Sequence, residues 1–204
     1  FSLGPEKPAF MQDMANLEGE PLSIANLLIE APGGNTLKLN KDHFIKRGTV
    51  KQACPACVAM ALFTLQINAP SGGQGHRTSL RGGGPITSLV WPMAADTPLW
   101  RRLWLNVLTQ EQMPASTQPV DAARFPWCGP TRTSEKADGM TTPEMVVRQQ
   151  VYWGMPRRIE LDFSDLSDGS CDLCGEQSHQ LFHHYRTKNY GVQYDPKTEI
   201  MVTV

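Results

Sequence analysis

Apolar residues along this chain fall in short runs separated by Pro- and Gly-marked breaks, not in long amphipathic stretches. The longest run, Val58 to Leu65, follows Cys54-Pro55-Ala56-Cys57 in a segment that reaches Ile67. Its Ala, Met and Leu residues favour helix, and apolarity on every face predicts a buried one. Asn68-Ala69-Pro70 stops it. Glu20-Pro21-Leu22-Ser23, followed by Ile24, Leu27 and Leu28, predicts a short amphipathic helix ending at Pro32-Gly33-Gly34-Asn35. A strand fragment is expected around Thr36–Leu39 and a strand over Ile86–Val90. A helix is expected from Leu99 to Leu108, with Thr97 at its cap and Pro98 in its first turn. Regular structure resumes at Val146–Trp153 and Arg157–Phe163, the second with the alternation of a strand at Ile159, Leu161 and Phe163. Residues 110–143, rich in Pro, Thr, Ser and Gly, read as a long flexible insertion. No repeat of fixed period is present.

Composition narrows the class. A 204-residue chain carries a prior of one domain or slightly more. At 40% hydrophobic and 19% charged it matches a globular protein, neither disordered nor membrane-spanning. Such a length buries around 70% of the unfolded surface without disulfide staples. Seventeen Gly and sixteen Pro exceed the average combined usage of roughly 12% and predict long, shaped loops. The expected fold is therefore α+β, irregular and loop-rich. Nineteen basic against twenty acidic residues leave a net charge of −1, so nucleic-acid binding must come from local patches. The chain opens on Phe1 with no charged-then-apolar leader, which reads as a fragment of a cytoplasmic, thiol-reducing protein. Five Cys in that setting suit metal ligation or thiol chemistry better than disulfides.

Two Cys-x-x-Cys pairs are the sharpest chemical signal. Cys54 with Cys57 and Cys171 with Cys174 supply four thiolates in two knuckles, the ligand set of a closed tetrahedral Zn2+ site. The ion would staple turns more than a hundred residues apart. Cys-Pro-Ala-Cys at a helix start also fits a thiol-disulfide oxidoreductase using Cys54 and Cys57, but the Lys-rich segment before it does not read as the buried strand such a site needs. Cys128 is spare.

The second signal is the loop Gly72-Gly73-Gln74-Gly75-His76-Arg77, whose glycines permit close backbone approach and whose His76, Arg77 and nearby Arg81 are phosphate-suited donors. No Gly-Lys-Ser/Thr follows, which excludes a nucleotide P-loop. Lys38, Lys41, Lys46, Arg47 and Lys51 stand against Asp42 alone, which shifts the reading towards a polyanion face. Arg101-Arg102 and Arg157-Arg158 read as solvated faces. No nucleophile–base spacing is present. A zinc-stabilised protein-interaction module without DNA contact stays open beside the DNA-binding reading.

In combination the motifs resemble one family. Pro8-Ala9-Phe10-Met11-Gln12, Asn35 to Asn40, both Cys pairs, Gln66 to Pro70, the glycine loop, Leu80 to Pro85, Leu105 to Leu108 and Trp153 to Leu161 are similar, in order, to the CasA family. That family is the large subunit of the type I-E CRISPR surveillance complex, Cascade. The resemblance implies a single N-terminal globular domain over residues 1–204, with the family's C-terminal helical bundle absent. It implies a non-catalytic subunit that reads the protospacer-adjacent motif in double-stranded target DNA and aids its unwinding. Implied partners are the guide RNA 5′ handle, other Cascade subunits and the helicase–nuclease of antiviral defence, with no membrane. Mapped by motif, the DNA-contacting glycine loop is Gly73-Gln74-Gly75 with His76 and Arg77. The minor-groove lysine falls on Lys188, with Asn189 as its rival. Lys38-Leu39-Asn40 match the loop that meets the guide's handle. Gln74 stands where some relatives have glycine.

Overall fold

The computed structural model describes residues 2–80, 89–114, 121–136 and 138–195. Among them are seven short strands and three α-helices, of which α2 packs into the one core, an α+β fold in which much of the chain is turn and loop.

The organising feature is one extended run, β5 (Gln177–Phe182) and β6 (His184–Lys188), interrupted only at His183. Its first half pairs antiparallel with β4 (Leu166–Ser170), making a hairpin whose turn carries Cys171 and Cys174. Its second half is the centre of a three-stranded antiparallel sheet between β1 (Leu22–Ser23) and β3 (Arg158–Leu161). β2 (Met140–Thr141) and β7 (Gln193–Tyr194) form a separate parallel pair.

Helix α2 (Pro55–Ile67) packs on β5 and on the 3₁₀ turn Ile24–Leu27. Val58, Leu62 and Gln66 share one buried stripe by their four-residue spacing, whereas Met60 is 62% exposed. The helix is thus buried on one side only, because the domain is too small to cover an all-round apolar cylinder.

Three further expectations shift. Over 20–28 no α-helix forms, because Leu22 and Ser23 pair with Tyr185 and His184. Ser23 then accepts from the Ala25 N–H, 3.4 Å, and starts a 3₁₀ turn that still buries Ile24 and Leu27. Around Thr36–Leu39 the backbone makes α1 (Gly34–Lys38), held by local hydrogen bonds, since no strand lies beside it. Helix α3 covers only Leu99–Trp104 with Pro98 at its cap, while Thr97 turns its hydroxyl back to the Ala94 carbonyl, 2.8 Å. Most of the strand expected over Ile86–Val90 lies outside the described residues, and Leu89 and Val90 are not in a strand.

Residues from within 110–143 reach the core. Trp127, 1% exposed, meets Phe10, Phe125 and Trp153 with ring centroids 5.1–6.0 Å apart, edge-on or tilted as aromatic quadrupoles prefer. In contrast, Trp91, Trp100 and Trp104 around α3 stand 57–63% exposed among exposed Leu and Val. No helix among the described residues is long and apolar enough to cross a membrane.

Candidate metal centre and nucleic-acid edge

Strand pairing brings the two knuckles together. Ala53 exchanges both backbone hydrogen bonds with Phe182 of β5, 3.0 and 2.9 Å. On its other side the Asp172 carboxylate accepts the N–H groups of Lys51 and Gln52, 2.7 and 3.0 Å. Pro55 then sets the first turn of α2 with Cys54 at its cap and Cys57 three residues on. The hairpin turn closes with the Gly175 N–H on the Cys171 carbonyl, 2.9 Å, and Gly175 takes a φ of 79°, as the turn requires.

The four Sγ atoms lie within 4.8 Å of one another, with Cys54, Cys57 and Cys171 buried and Cys174 exposed. Cys54 and Cys174 Sγ are 3.8 Å apart. Zn–S bonds of about 2.3 Å at tetrahedral angles require an S···S edge of about 3.8 Å, so the donor set and its dimensions fit a tetrahedral thiophilic ion. Polarity agrees. Burial opposes ionisation of Cys171, yet the N–H groups of Cys54, Cys174 and Leu173 directed at its sulfur hold its pKa down at about 6. Burial first, and then the sulfurs of Cys174, Cys54 and Cys171, push the Cys57 thiol well above its ordinary 9.0.

The glycine loop is a closed excursion, since the Ser79 N–H donates to the Ala69 carbonyl across its base, 3.1 Å. Three segments brace it. Asn189 donates to the Gln74 carbonyl, 3.1 Å, and the Tyr190 N–H to that of Gly75, 2.9 Å. Arg77 donates to the Ser134 hydroxyl and carbonyl, 2.7 and 2.8 Å, and lies over the Tyr190 ring, so its guanidinium anchors the loop. Arg157 donates to the Pro70 carbonyl, 2.7 Å, and meets His76 Nδ1. Burial, followed by the Arg157 charge, lowers the His76 pKa, so at neutral pH the ring is an uncharged acceptor.

Gly73, Gln74 and His76 are exposed at the crest, and Lys188 is exposed at the end of β6 next to Asn189. The Asn189 side chain, distant in sequence, therefore meets the loop, and Lys188, which pairs with Arg158 across β3, is its exposed neighbour. Lys38, Leu39 and Asn40 are exposed at the end of α1. There Arg47 clamps Asp42 bidentately, 2.5 and 2.6 Å, and donates to Asn40 Oδ1, 3.0 Å, so one cation of the basic stretch is neutralised. The start of α1 and the glycine loop face each other across an open groove of about 800 Å³.

Arg157-Arg158 is not a solvated face. Arg158 is 7% exposed and paired with the Asp13 carboxylate at 2.6 Å. Arg157 lines the groove with Ile159, Tyr185 and Thr187. Its backbone is fixed by the buried Gln66 of α2, which accepts from the Arg157 N–H and donates to its carbonyl, 3.0 and 2.8 Å. The period-two alternation at Ile159 and Leu161, carried back by two residues, is the signal that places Arg157 on this face.

These features define a small α+β domain whose distant hairpin and helix are joined by a tetrathiol cluster able to hold a metal ion. A family model described as CRISPR-associated protein Cse1 matches residues 1–204, and the chain belongs to that family. The family is a non-catalytic subunit of the type I-E CRISPR complex Cascade, and its partners include the other Cascade subunits.

Proposed function

We propose that this chain is the DNA-recognition part of the Cascade large subunit, reading the protospacer-adjacent motif in duplex DNA and aiding its opening. The observation that carries this reading is the exposed crest of Gly73 and Gln74, braced by Asn189 and Tyr190, with Lys188 exposed at the neighbouring strand end. A crest of backbone and one long cation suits the minor groove, whose donor–acceptor code is degenerate and whose floor admits little bulk. Sequence reading is left to guide pairing, so tag and backbone contacts suffice. Gly75 and Arg77 serve by shaping the loop, and His76, whose Nδ1 accepts from Arg157, by offering its Nε2–H as a neutral donor beside it. Lys38, Leu39 and Asn40 meet the guide RNA 5′ handle.

Cys54, Cys57, Cys171 and Cys174 hold Zn2+ as a structural staple: the ion supplies four bonds that tie the helix start to the hairpin, and no chemistry. Recruitment of the helicase–nuclease belongs to the same reading. The exposed tryptophans and leucines around α3 support a subunit built to be covered, since clustered large apolar side chains on a surface mark interaction sites.

The test is tag-dependent target binding by the assembled complex. Lys188→Ala and Gly73→Asp should each weaken it about 10-fold with metal content unchanged. Full binding by both variants would overturn the site assignment.

A further inference from the structure

The hairpin that carries Cys171 and Cys174 reaches beyond the core. Over residues 163–180 only Cys171 is buried, and buried apolar side chains resume at Leu181 and Phe182. Apolar packing therefore does not hold this tip against the start of α2. The pairing of Ala53 with Phe182 does not hold it either, because Phe182 lies at the end of β5 far from the turn.

Hydrogen bonds between residues 51–54 and 170–172 are what bring the tip in. Gln52 Nε2 donates to the Ser170 carbonyl, 2.9 Å, and the Cys54 N–H to Cys171 Sγ, 3.3 Å. Asp172 makes three more. Its Oδ2 accepts the N–H groups of Lys51 and Gln52, 2.7 and 3.0 Å, and its own N–H returns to the Gln52 carbonyl, 3.2 Å. Hydrogen bonds to an ionised acceptor are about twice as strong as neutral ones. Among the described residues no side-chain cation lies within 4.0 Å of this carboxylate, so its charge is directed at the two N–H groups. Asp172 directly follows the ligand Cys171, and Gln52 and Lys51 shortly precede the ligand Cys54. The contact thus joins the two knuckles without using a sulfur.

We propose that Asp172 is a positioning residue for the metal: its carboxylate clasps the segment before Cys54 to the hairpin tip, so that the four sulfurs stand together before an ion arrives. The inference rests on the reading of the cluster as a Zn2+ site and adds the residue that preorganises it. Preorganisation raises affinity because the ion need not itself restrain a free tip. Removing a group that orients metal ligands typically weakens metal binding about 10–100-fold. The rest of the fold loses little, since the tip carries no core.

The experiment measures Zn2+ affinity of the full chain by competition with a chromophoric chelator, and thermal unfolding of the same chains stripped of metal. Asp172→Ala keeps all four sulfurs and should weaken Zn2+ binding about 10–100-fold. Its stripped form should melt within about 4 °C of the stripped parent. Asp172→Asn keeps a carbonyl oxygen able to accept both N–H groups and should bind more tightly than Asp172→Ala. Asp168→Ala removes an exposed carboxylate from β4 of the same hairpin, one that faces His179, and should bind like the parent. A loss below about 5-fold in Asp172→Ala overturns the clasp. So does an equal loss in Asp168→Ala, which would make the effect one of net charge, or an Asp172→Asn variant no tighter than Asp172→Ala. A larger fall in the stripped melting temperature assigns Asp172 to the fold at large and also overturns it, as does a stripped parent without a melting transition, which has no preformed site. A parent that binds no Zn2+ sinks the cluster reading together with the inference, whereas a zinc-binding parent matched by Asp172→Ala sinks the inference alone.

Discussion

Replacing Cys174 with serine removes one sulfur from the cluster while disturbing little else, because this residue is exposed and its backbone turn is set by Gly175. The magnitude follows from what the cluster joins. Cys54 and Cys171 are 117 residues apart in the chain. Closing a loop of that size restricts the unfolded state by about 5 kcal/mol in the chain-entropy relation. Zinc bound to four thiolates is worth about 10–16 kcal/mol, part of which organises the two knuckles. Loss of one ligand should therefore cost about 3–5 kcal/mol, against a total domain stability of about 5–15 kcal/mol. For a chain of this length each kcal/mol moves Tm by about 2–4 °C, so a fall of about 10–15 °C is expected. Metal per chain by plasma mass spectrometry and thermal unfolding with and without chelator measure it. The parent protein should carry one zinc and lose stability on chelation. Cys174→Ser should already sit near the chelated value and respond little further. Cys128→Ser is the control: Cys128 is half-buried and outside the cluster, so metal content should not change. A parent protein that carries no metal, or a Cys174→Ser variant within 2 °C of it, refutes the staple.

Asp13→Asn leaves Arg158 buried without its carboxylate and should cost about 3–5 kcal/mol in urea denaturation, whereas joint replacement of both by apolar residues should cost less. Gly75→Ala, at a φ of 78° and against Asn189, should lose about 1–2 kcal/mol, while Gly73→Ala should stay within about 0.5 kcal/mol. Burial raises the Asp162 carboxyl, but the Ser164 hydroxyl and N–H and then Arg186 outweigh it, leaving its pKa below the ordinary 3.8. Its contribution is therefore complete above that value and is lost as pH falls through the lower folded pKa. Asp162→Asn should flatten the acid limb of a stability–pH profile below about pH 4, and an unchanged limb would contradict the assignment.

What was legible in the sequence follows how local the cause is. The two Cys-x-x-Cys pairs announced the cluster because tetrahedral thiolate ligation needs a short spacer whatever lies between the pairs. The alternation at Ile159 and Leu161 gave β3 for the same reason: period two is a property of the strand itself. The segment at 20–28 defeated the pattern because Leu22 and Ser23 were claimed by the edge of β6, a partner some 160 residues on. Trp127 was hidden in a Pro-rich stretch whose composition describes its backbone and not its aromatic payload.

The glycine loop shows where such reading stops in principle. Gly73 and Gly75 are two positions apart and indistinguishable as letters. One faces open space; the other is pinned by Asn189, which reaches the loop from 115 residues away to hold the Gln74 carbonyl. Whether a glycine is there for the fold or for a ligand depends on what its missing Cβ would have touched, and that is a fact about tertiary neighbours. The same distinction separates Arg157 from Arg158. Adjacent in sequence, they point to opposite sides of β3, where Arg158 meets Asp13 and Arg157 lines a groove that holds no carboxylate among the described residues. Only Arg157 is left without a carboxylate partner among the described residues.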